Sequence, residues 1–334
     1  MSTACYAAYK AKDLLKPFSY EPKILGPWDV DIKITHCGVC HSDIHLIDGD
    51  WRKDIYPLVP GHEIIGIVTA RGKNVTQLKK GDRVGVGWQS ASCLKCEWCK
   101  KGEENLCNNY QATCVGKHGG FSQRIITDSR FAFAIPQALD SEHAAPLMCA
   151  GITVYSPLRR FVSPAMKVGV IGIGGLGHLA LQFAHAMGAS VTAFSTSAVK
   201  IKEAKELGAD HFVLINDKKQ MKEAASSLDF ILSTVNVHLD WAAFLKILRP
   251  NGKLCLVGAL PGDIKFPFDA ILGDQKTVVG SVIGSRKMIK EMLSFAAKHK
   301  IKAKTQSVPL ADVNVAIKKV KANEVRYRMV LTCN

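Results

Sequence analysis

Three groups of residues in this chain have the types and spacing for chemistry. The first is Cys93, Cys96, Cys99 and Cys107, which read C-x2-C-x2-C-x7-C in a polar stretch with Lys95, Glu97, Lys100 and Lys101. Four soft thiolates on such a loop suit a tetrahedral zinc ion with every position filled by protein. Neighbours three residues apart are well placed to share one metal, and the stretch lacks apolar periodicity, so zinc fits better than a disulfide pair. A closed site of this kind does no chemistry of its own. The second group is the glycine run Gly172-Ile173-Gly174-Gly175-Leu176-Gly177, which follows the apolar Val168–Ile171. Its glycines allow a tight turn and close backbone approach, and the N–H groups that open the next helix suit a pyrophosphate. The third is His36-Cys37-Gly38-Val39-Cys40-His41-Ser42-Asp43-Ile44-His45, followed by Gly61-His62-Glu63. Spacing leaves this group open between a metal site and a Cys37/Cys40 redox pair. Against the redox pair, it does not follow the first strand of a thioredoxin-like βαβ pattern.

The elements that must position these groups fall into two textures. Residues 1–150 hold short alternating runs bounded by glycine and proline: 30–34, 64–69, 83–87 and 121–127. They predict the strands of a compact β-rich domain. From about residue 165 an apolar run recurs roughly every twenty residues, with helical segments between. Strands are expected at 168–173, 190–194, 211–215, 230–234, 254–257 and 277–282, and helices at 176–187, 199–207, 218–226 and 239–248. This alternation predicts an α/β domain with a doubly wound parallel sheet, over 151–286. The remainder, 287–334, opens with a helix to about His299 and ends in a strand-like run, 326–332, suited to pairing back with the first domain.

The glycine run therefore lies between a strand and a helix, the context that makes it a dinucleotide site. An NAD site ends its second strand with an acidic residue for the ribose 2′-hydroxyl. This chain has Ser195-Thr196-Ser197-Ala198-Val199-Lys200 there. Three hydroxyls and a lysine suit a 2′-phosphate, hence NADP(H). The same loop also reads as a helix cap, with Ser197 at the N-cap position.

Composition excludes several classes. Hydrophobic content of 47% with 22% charged residues is that of a globular protein, and no apolar run reaches membrane-span length. The N-terminus lacks a basic segment followed by an apolar one, and eleven cysteines fit a reducing cytoplasm. A net charge of +15 raises the possibility of a nucleic-acid-binding zinc ribbon. Its lysines are scattered, however, with no basic stripe interleaved with aromatics.

Taken together, the motifs resemble the zinc-dependent medium-chain alcohol dehydrogenases, in particular the cinnamyl alcohol dehydrogenase group. The matching segments are 40–43, 61–63, the four-cysteine lobe, 146–155, 172–177, 195–200, 280–285 and 325–328, in that family's order over nearly the whole chain. The resemblance implies a GroES-like catalytic domain beside a Rossmann domain. It makes Cys40, His62 and Cys149 ligands of a catalytic zinc, with Glu63 and Asp43 as carboxylates around it and Glu63 able to visit the metal. Cys37 falls outside that site. Without the resemblance, Cys149 reads as a small buried apolar residue and His45 as a loop histidine.

The same resemblance implies a proton relay from Ser42 through the nicotinamide ribose to His45, and a lobe zinc that makes two per chain. Cofactor contacts carry over to Thr153, Thr234 and Gly258, to Ser281, Val282 and Ile283 at the carboxamide, and to Arg328 at the pyrophosphate. Trp51 and Trp88 follow the first-domain motifs and read either as walls of the substrate pocket or as core packing. The segment 108–119 is shorter than in many members of that family, which alters the pocket rim. The expectation is a cytoplasmic, homodimeric, NADP-linked alcohol dehydrogenase acting on primary alcohols and aldehydes. A zinc-free quinone reductase on the same scaffold is the rival within the enzyme class.

Overall fold

The computed structural model describes residues 2–333. In chain order the main elements begin with strand β1 (Asp29–Val39), helix α1 (His41–Asp48), β2 (Glu63–Arg71), β3 (Arg83–Val86), β4 (Arg124–Asp128) and β5 (Ala132–Ala134). Helix α2 (Ala150–Phe161) leads into β6 (Lys167–Ile171), α3 (Gly177–Ala186), β7 (Ser190–Ser195), β8 (His211–Leu214), β9 (Leu228–Ser233), β10 (Leu248–Leu256) and β11 (Thr277–Gly280). Helix α4 (Arg286–His299) precedes β12 (Thr305–Pro309) and β13 (Arg328–Thr332). The backbone divides into two units, Met1–Ile152 with Gly284–Asn334, and Thr153–Ile283.

The first unit is built on a sheet in the order β12-β13-β1-β2-β3-β5, with β4 pairing β1 off this path. Along β1, Val30, Ile32 and Ile34 are fully buried while Lys33 is exposed, the alternation of a strand with one face inward. Asp31 breaks the pattern: it is buried because Arg124 of β4 grips both its oxygens at 2.6 Å. Ile32, Ile64, Val84, Phe121 and Leu331 meet in one core. Each contributes about 1.5–3 kcal/mol relative to exposure. The expected strand at 121–127 forms only from Arg124 onward. Gly119 lets the chain press against the carbonyls of Pro60 and Gly61, Gly120 against the side chains of Ile64 and Cys37, and Phe121 donates to the Pro60 carbonyl there instead of joining the ladder.

The second unit is a six-stranded, all-parallel sheet in the order β8-β7-β6-β9-β10-β11, doubly wound as the strand–helix alternation predicts. Strand order reverses between β6 and β9, and ligands of such sheets bind beyond the carboxyl ends of the strands at that point. Strand β6 shows why it sits at the centre: Val168, Val170 and Ile171 have no exposed surface. At the sheet edge β11 ends at Gly280, short of the expected Val282. The chain turns out of the ladder there, with φ +35° at Ile283. Among the described residues no helix is long and apolar enough to cross a membrane.

Candidate metal centres and cofactor turn

The start of α1 organises the first centre. The Cys40 sulfur accepts the Ser42 N–H at 3.5 Å, and Asp43 returns a carboxylate oxygen to the Cys40 N–H at 2.9 Å. This reciprocal cap satisfies donors that a helix start leaves open. The other Asp43 oxygen takes the Gly61 N–H at 2.8 Å and His62 Nδ1 at 2.9 Å. One fully buried carboxylate thus fixes the helix start, the Gly61 turn and the imidazole. It puts the proton on Nδ1 and leaves Nε2 for another partner, the arrangement of a metal-binding histidine. His62 Nε2 has no hydrogen-bond partner among the described residues. Cys149 arrives from the short helical turn Ala145–Met148 ahead of α2. One ligand atom each from Cys40, His62, Glu63 and Cys149 lie within 4.8 Å of one another.

Charge explains what this cluster wants. Cys149 hydrogen-bonds Cys40 and holds the Cys40 thiol well below its usual range, against burial. The same bond, with burial, pushes Cys149 well above it. Burial opposes protonation of His62, but the charges of Asp43 and Cys149 outweigh it and drive that pKa well up. A buried site that gathers thiol and carboxylate groups in this way calls for a cation. Two thiolates and one imidazole nitrogen fit zinc with a position left open, the donor set of a catalytic site.

Glu63 and Arg328 close the far side. Burial raises the Glu63 carboxyl to about 7, against the pull of the Arg328 guanidinium. Arg328 lies 2.5 Å from Glu63 Oε1, and Glu63 Oε2 has no hydrogen-bond partner among the described residues. The pair spans β1 from β2 to β13, and Gly38 of β1 makes room for it. A Cβ at Gly38 would stand 2.0 Å from Glu63 Oε2. Arg328, assigned to a pyrophosphate by resemblance, has its buried guanidinium on this carboxylate.

The four-cysteine lobe forms a second cluster, with ligand sulfurs within 4.8 Å of one another. Cys107 Sγ lies 3.5 Å from Cys93 Sγ, and Cys93 Sγ lies 3.9 Å from Cys99 Sγ. Backbone N–H groups of Lys95 and Cys96 lower the Cys93 thiol to about 6, so it is ready as a thiolate. All four positions would be filled by protein, which fits a structural zinc.

Ser42 and His45 lie one turn apart on α1, both half-buried. His45 Nδ1 is 2.8 Å from Asp50, and its ring stacks on Trp51 with centroids 4.8 Å apart. Trp51 meets Trp88 edge-on at 6.2 Å, and Trp88 meets the His62 ring edge-on at 4.8 Å. An aromatic string thus runs from the buried centre to the surface histidine.

In the second unit the glycine run sits where the switch point requires it. Gly172 has φ +87°, and a Cβ at Gly177 would stand 1.7 Å from the Gly172 carbonyl oxygen. Around Gly174 there is open space. Turn, helix packing and ligand approach are therefore divided among the three glycines. Lys200 Nζ donates to the Ile173 carbonyl at 2.7 Å, which brings its charge to the glycine turn. Ser195, at the end of β7, accepts the Ser197 N–H at 3.2 Å. Ser197 stands at the N-cap position of a 3-10 turn, as its reading has it, but its side chain makes no cap bond. The Thr234 hydroxyl binds the carbonyls of Ile171 and Gly172, at 2.9 and 3.0 Å. A Cβ at Gly258 would stand 1.9 Å from the Val235 carbonyl oxygen. Thr153 opens this unit on α2, and Ser281, Val282 and Ile283 close it.

Cys114 is a residue that sequence reasoning passed over. It is fully buried, and its sulfur groups with Asp43 and His62 atoms within 4.8 Å. A lone cysteine among apolar residues gives no signal in sequence.

Comparison with known proteins agrees with this geometry. Residues 26–137 match the alcohol dehydrogenase GroES-like domain, and residues 175–298 match the zinc-binding dehydrogenase domain. The chain is 41% identical to the aldehyde reductase AdhA of Synechocystis sp., over 98% of each protein. Its structure resembles a cinnamyl alcohol dehydrogenase from Sorghum bicolor, with TM-score 0.96, 40% identity and coverage of 99% of this chain and 98% of that one. It also resembles the cinnamyl alcohol dehydrogenase of Helicobacter pylori solved with NADP(H), with TM-score 0.92, 37% identity and coverage of 99% and 98%. With both metal clusters and the glycine turn in place, the chain belongs to the zinc-binding alcohol dehydrogenase family, in its cinnamyl alcohol dehydrogenase group.

Proposed function

We propose that the protein transfers hydride between NADP(H) and a primary alcohol or aldehyde, with aromatic or medium aliphatic groups as substrates. The observation that carries this reading is the buried Cys40/His62/Cys149 cluster with its unpartnered Nε2. Zinc held there supplies Lewis acidity toward the substrate oxygen. The chain's own residues do the rest. Asp43 orients His62. Ser42 takes the hydrogen bond of the substrate hydroxyl, and His45, one turn along α1, exchanges the proton with solvent while Asp50 and Trp51 hold its ring. Trp51 and Trp88 offer apolar faces to an aromatic substrate.

Ser195, Thr196, Ser197 and Lys200 would hold the 2′-phosphate, and Ser281, Val282 and Ile283 the carboxamide. A cavity of about 580 Å³ bordered by Thr196, Asn216, Lys218 and Lys219 lies beside the phosphate loop. NADPH oxidation with a panel of aldehydes, run on wild type and Ser195→Asp, tests the reading. Wild type should consume NADPH, and a chelator that strips zinc should stop it. In Ser195→Asp the added carboxylate should repel the 2′-phosphate and move preference toward NADH by about tenfold or more, about 1.4 kcal/mol. Unchanged NADPH preference in the variant would refute the phosphate assignment.

A second copy of the chain fits the edge of the parallel sheet. Strand β11 ends the strand order, with Val282, Phe268 and Leu272 exposed close by in sequence. A two-fold pairing through β11 would cover an open edge and extend one sheet through a homodimer. Light scattering should give twice the chain mass, and Val279→Pro on β11 should shift it toward monomer; a monomeric wild type sinks the pairing. A cytoplasmic location suits the eleven cysteines, which are free rather than joined in disulfides.

A further inference from the structure

The four-cysteine lobe is tied to α4 by an ion pair that neither metal centre needs. Glu104 lies in the helical turn Glu104–Leu106, between Cys99 and Cys107, and is 3% exposed. Its Oε1 accepts from Arg286 Nε at 2.8 Å and sits 2.7 Å from a terminal nitrogen of the same guanidinium. Its Oε2 lies 3.4 Å from the Arg286 backbone N–H. Gln89, also buried, donates to the Glu104 backbone carbonyl at 2.7 Å, so the backbone that carries the carboxylate is held as well. Arg286 is the first residue of α4, and Ser285 caps that helix by accepting the Met288 N–H at 3.3 Å. The ion pair therefore fixes where α4 begins.

A second observation lies immediately upstream. Ile283, at φ +35°, is the only β-branched residue with positive φ among the described residues. Such a residue rarely adopts this conformation, and it persists only where the surroundings over-determine it. Only Gly284 and Ser285 separate it from Arg286.

We propose that Glu104 and Arg286 are positioning residues for the cofactor. By pinning the start of α4 to the lobe they hold Ile283 in its strained conformation, and so fix the backbone of Ser281, Val282 and Ile283. The inference rests on the proposed function, which assigns those three residues to the nicotinamide carboxamide. It gives the lobe a task beyond holding its own metal: the lobe sets how that end of the cofactor is received.

The test uses the full-length, zinc-loaded protein and measures NADPH Kd together with zinc content. Glu104→Gln should raise Kd by about tenfold while zinc stays at two per chain. Arg286→Lys keeps the charge but loses the fork, and should raise Kd by about threefold. Glycine meets no steric penalty at φ +35°, so in an Ile283→Gly background Glu104→Gln should change Kd less than twofold. Wild-type affinity in both Glu104→Gln and Arg286→Lys overturns the inference. So does an equal penalty for Glu104→Gln with isoleucine or glycine at 283. Should Glu104→Gln lose lobe zinc, Arg286→Lys decides alone, because it lies outside the lobe. A wild type that fails to bind NADPH overturns the functional reading; a wild type that binds it, with variants unchanged, overturns only this inference.

Discussion

Replacing Cys149 by alanine is expected to leave one tightly held zinc per chain in place of two. Aldehyde reduction should fall to about a thousandth of wild type or less, about 4 kcal/mol of barrier. The cluster explains the size of the effect. Cys40 and Cys149 bring two sulfurs to a buried cluster within 4.8 Å of a His62 atom, and His62 Nε2 has no hydrogen-bond partner among the described residues. Without the second sulfur, only Cys40 and His62 remain as strong donors, with Glu63 drawn toward Arg328. Elemental analysis and an NADPH-oxidation assay check the prediction together. A variant that keeps two zinc ions and its full rate would remove Cys149 from the ligand set.

The second large effect is expected at the glycine turn. Gly177→Ala would place a Cβ 1.7 Å from the Gly172 carbonyl oxygen, which is backbone at φ +87° and has little room to yield. Helix α3 must then move off the turn, and its N–H groups with it. Overpacking of this kind costs about 3 kcal/mol, so NADPH Kd should rise by about a hundredfold or more. Both zinc ions should remain, since no ligand lies in this unit. Gly174→Ala makes the informative control: a Cβ there meets nothing, so the turn keeps its shape and any loss comes from crowding the ligand. Fluorescence titration with NADPH reads both. Unaltered binding in Gly177→Ala would mean that the turn does not cradle the cofactor.

Residue types and local spacing disclosed the parts of this protein that are local in the chain. Cys93, Cys96, Cys99 and Cys107 form one cluster because a short loop leaves them little choice. The parallel sheet was equally legible, since each strand and helix announces itself by its own period. Contacts set by the sheets were not. Cys149 and His62 are more than eighty residues apart, and spacing says nothing of their meeting. The resemblance sets Arg328 against a pyrophosphate, and its place in the sequence carries no sign of another partner. Only the pairing of β13 with β1, and the absence of a side chain at Gly38, brings it to Glu63. Glu104 and Arg286 lie 182 residues apart, and only the fold places them together. Cys114 is silent for the same reason.

Strand β13 has one further consequence, which concerns the order in which the molecule can be made. It follows every other strand among the described residues, yet it lies inside its sheet, bonded to β12 on one side and β1 on the other. The whole of Thr153–Ile283 is translated before it. A growing chain can therefore complete the parallel-sheet unit while β1 still shows an open edge and Glu63 waits without its guanidinium. Every ligand of both metal clusters has left the ribosome well before Arg328 does. Until then Glu63 and Cys40 lack the buried guanidinium that faces both in the finished fold.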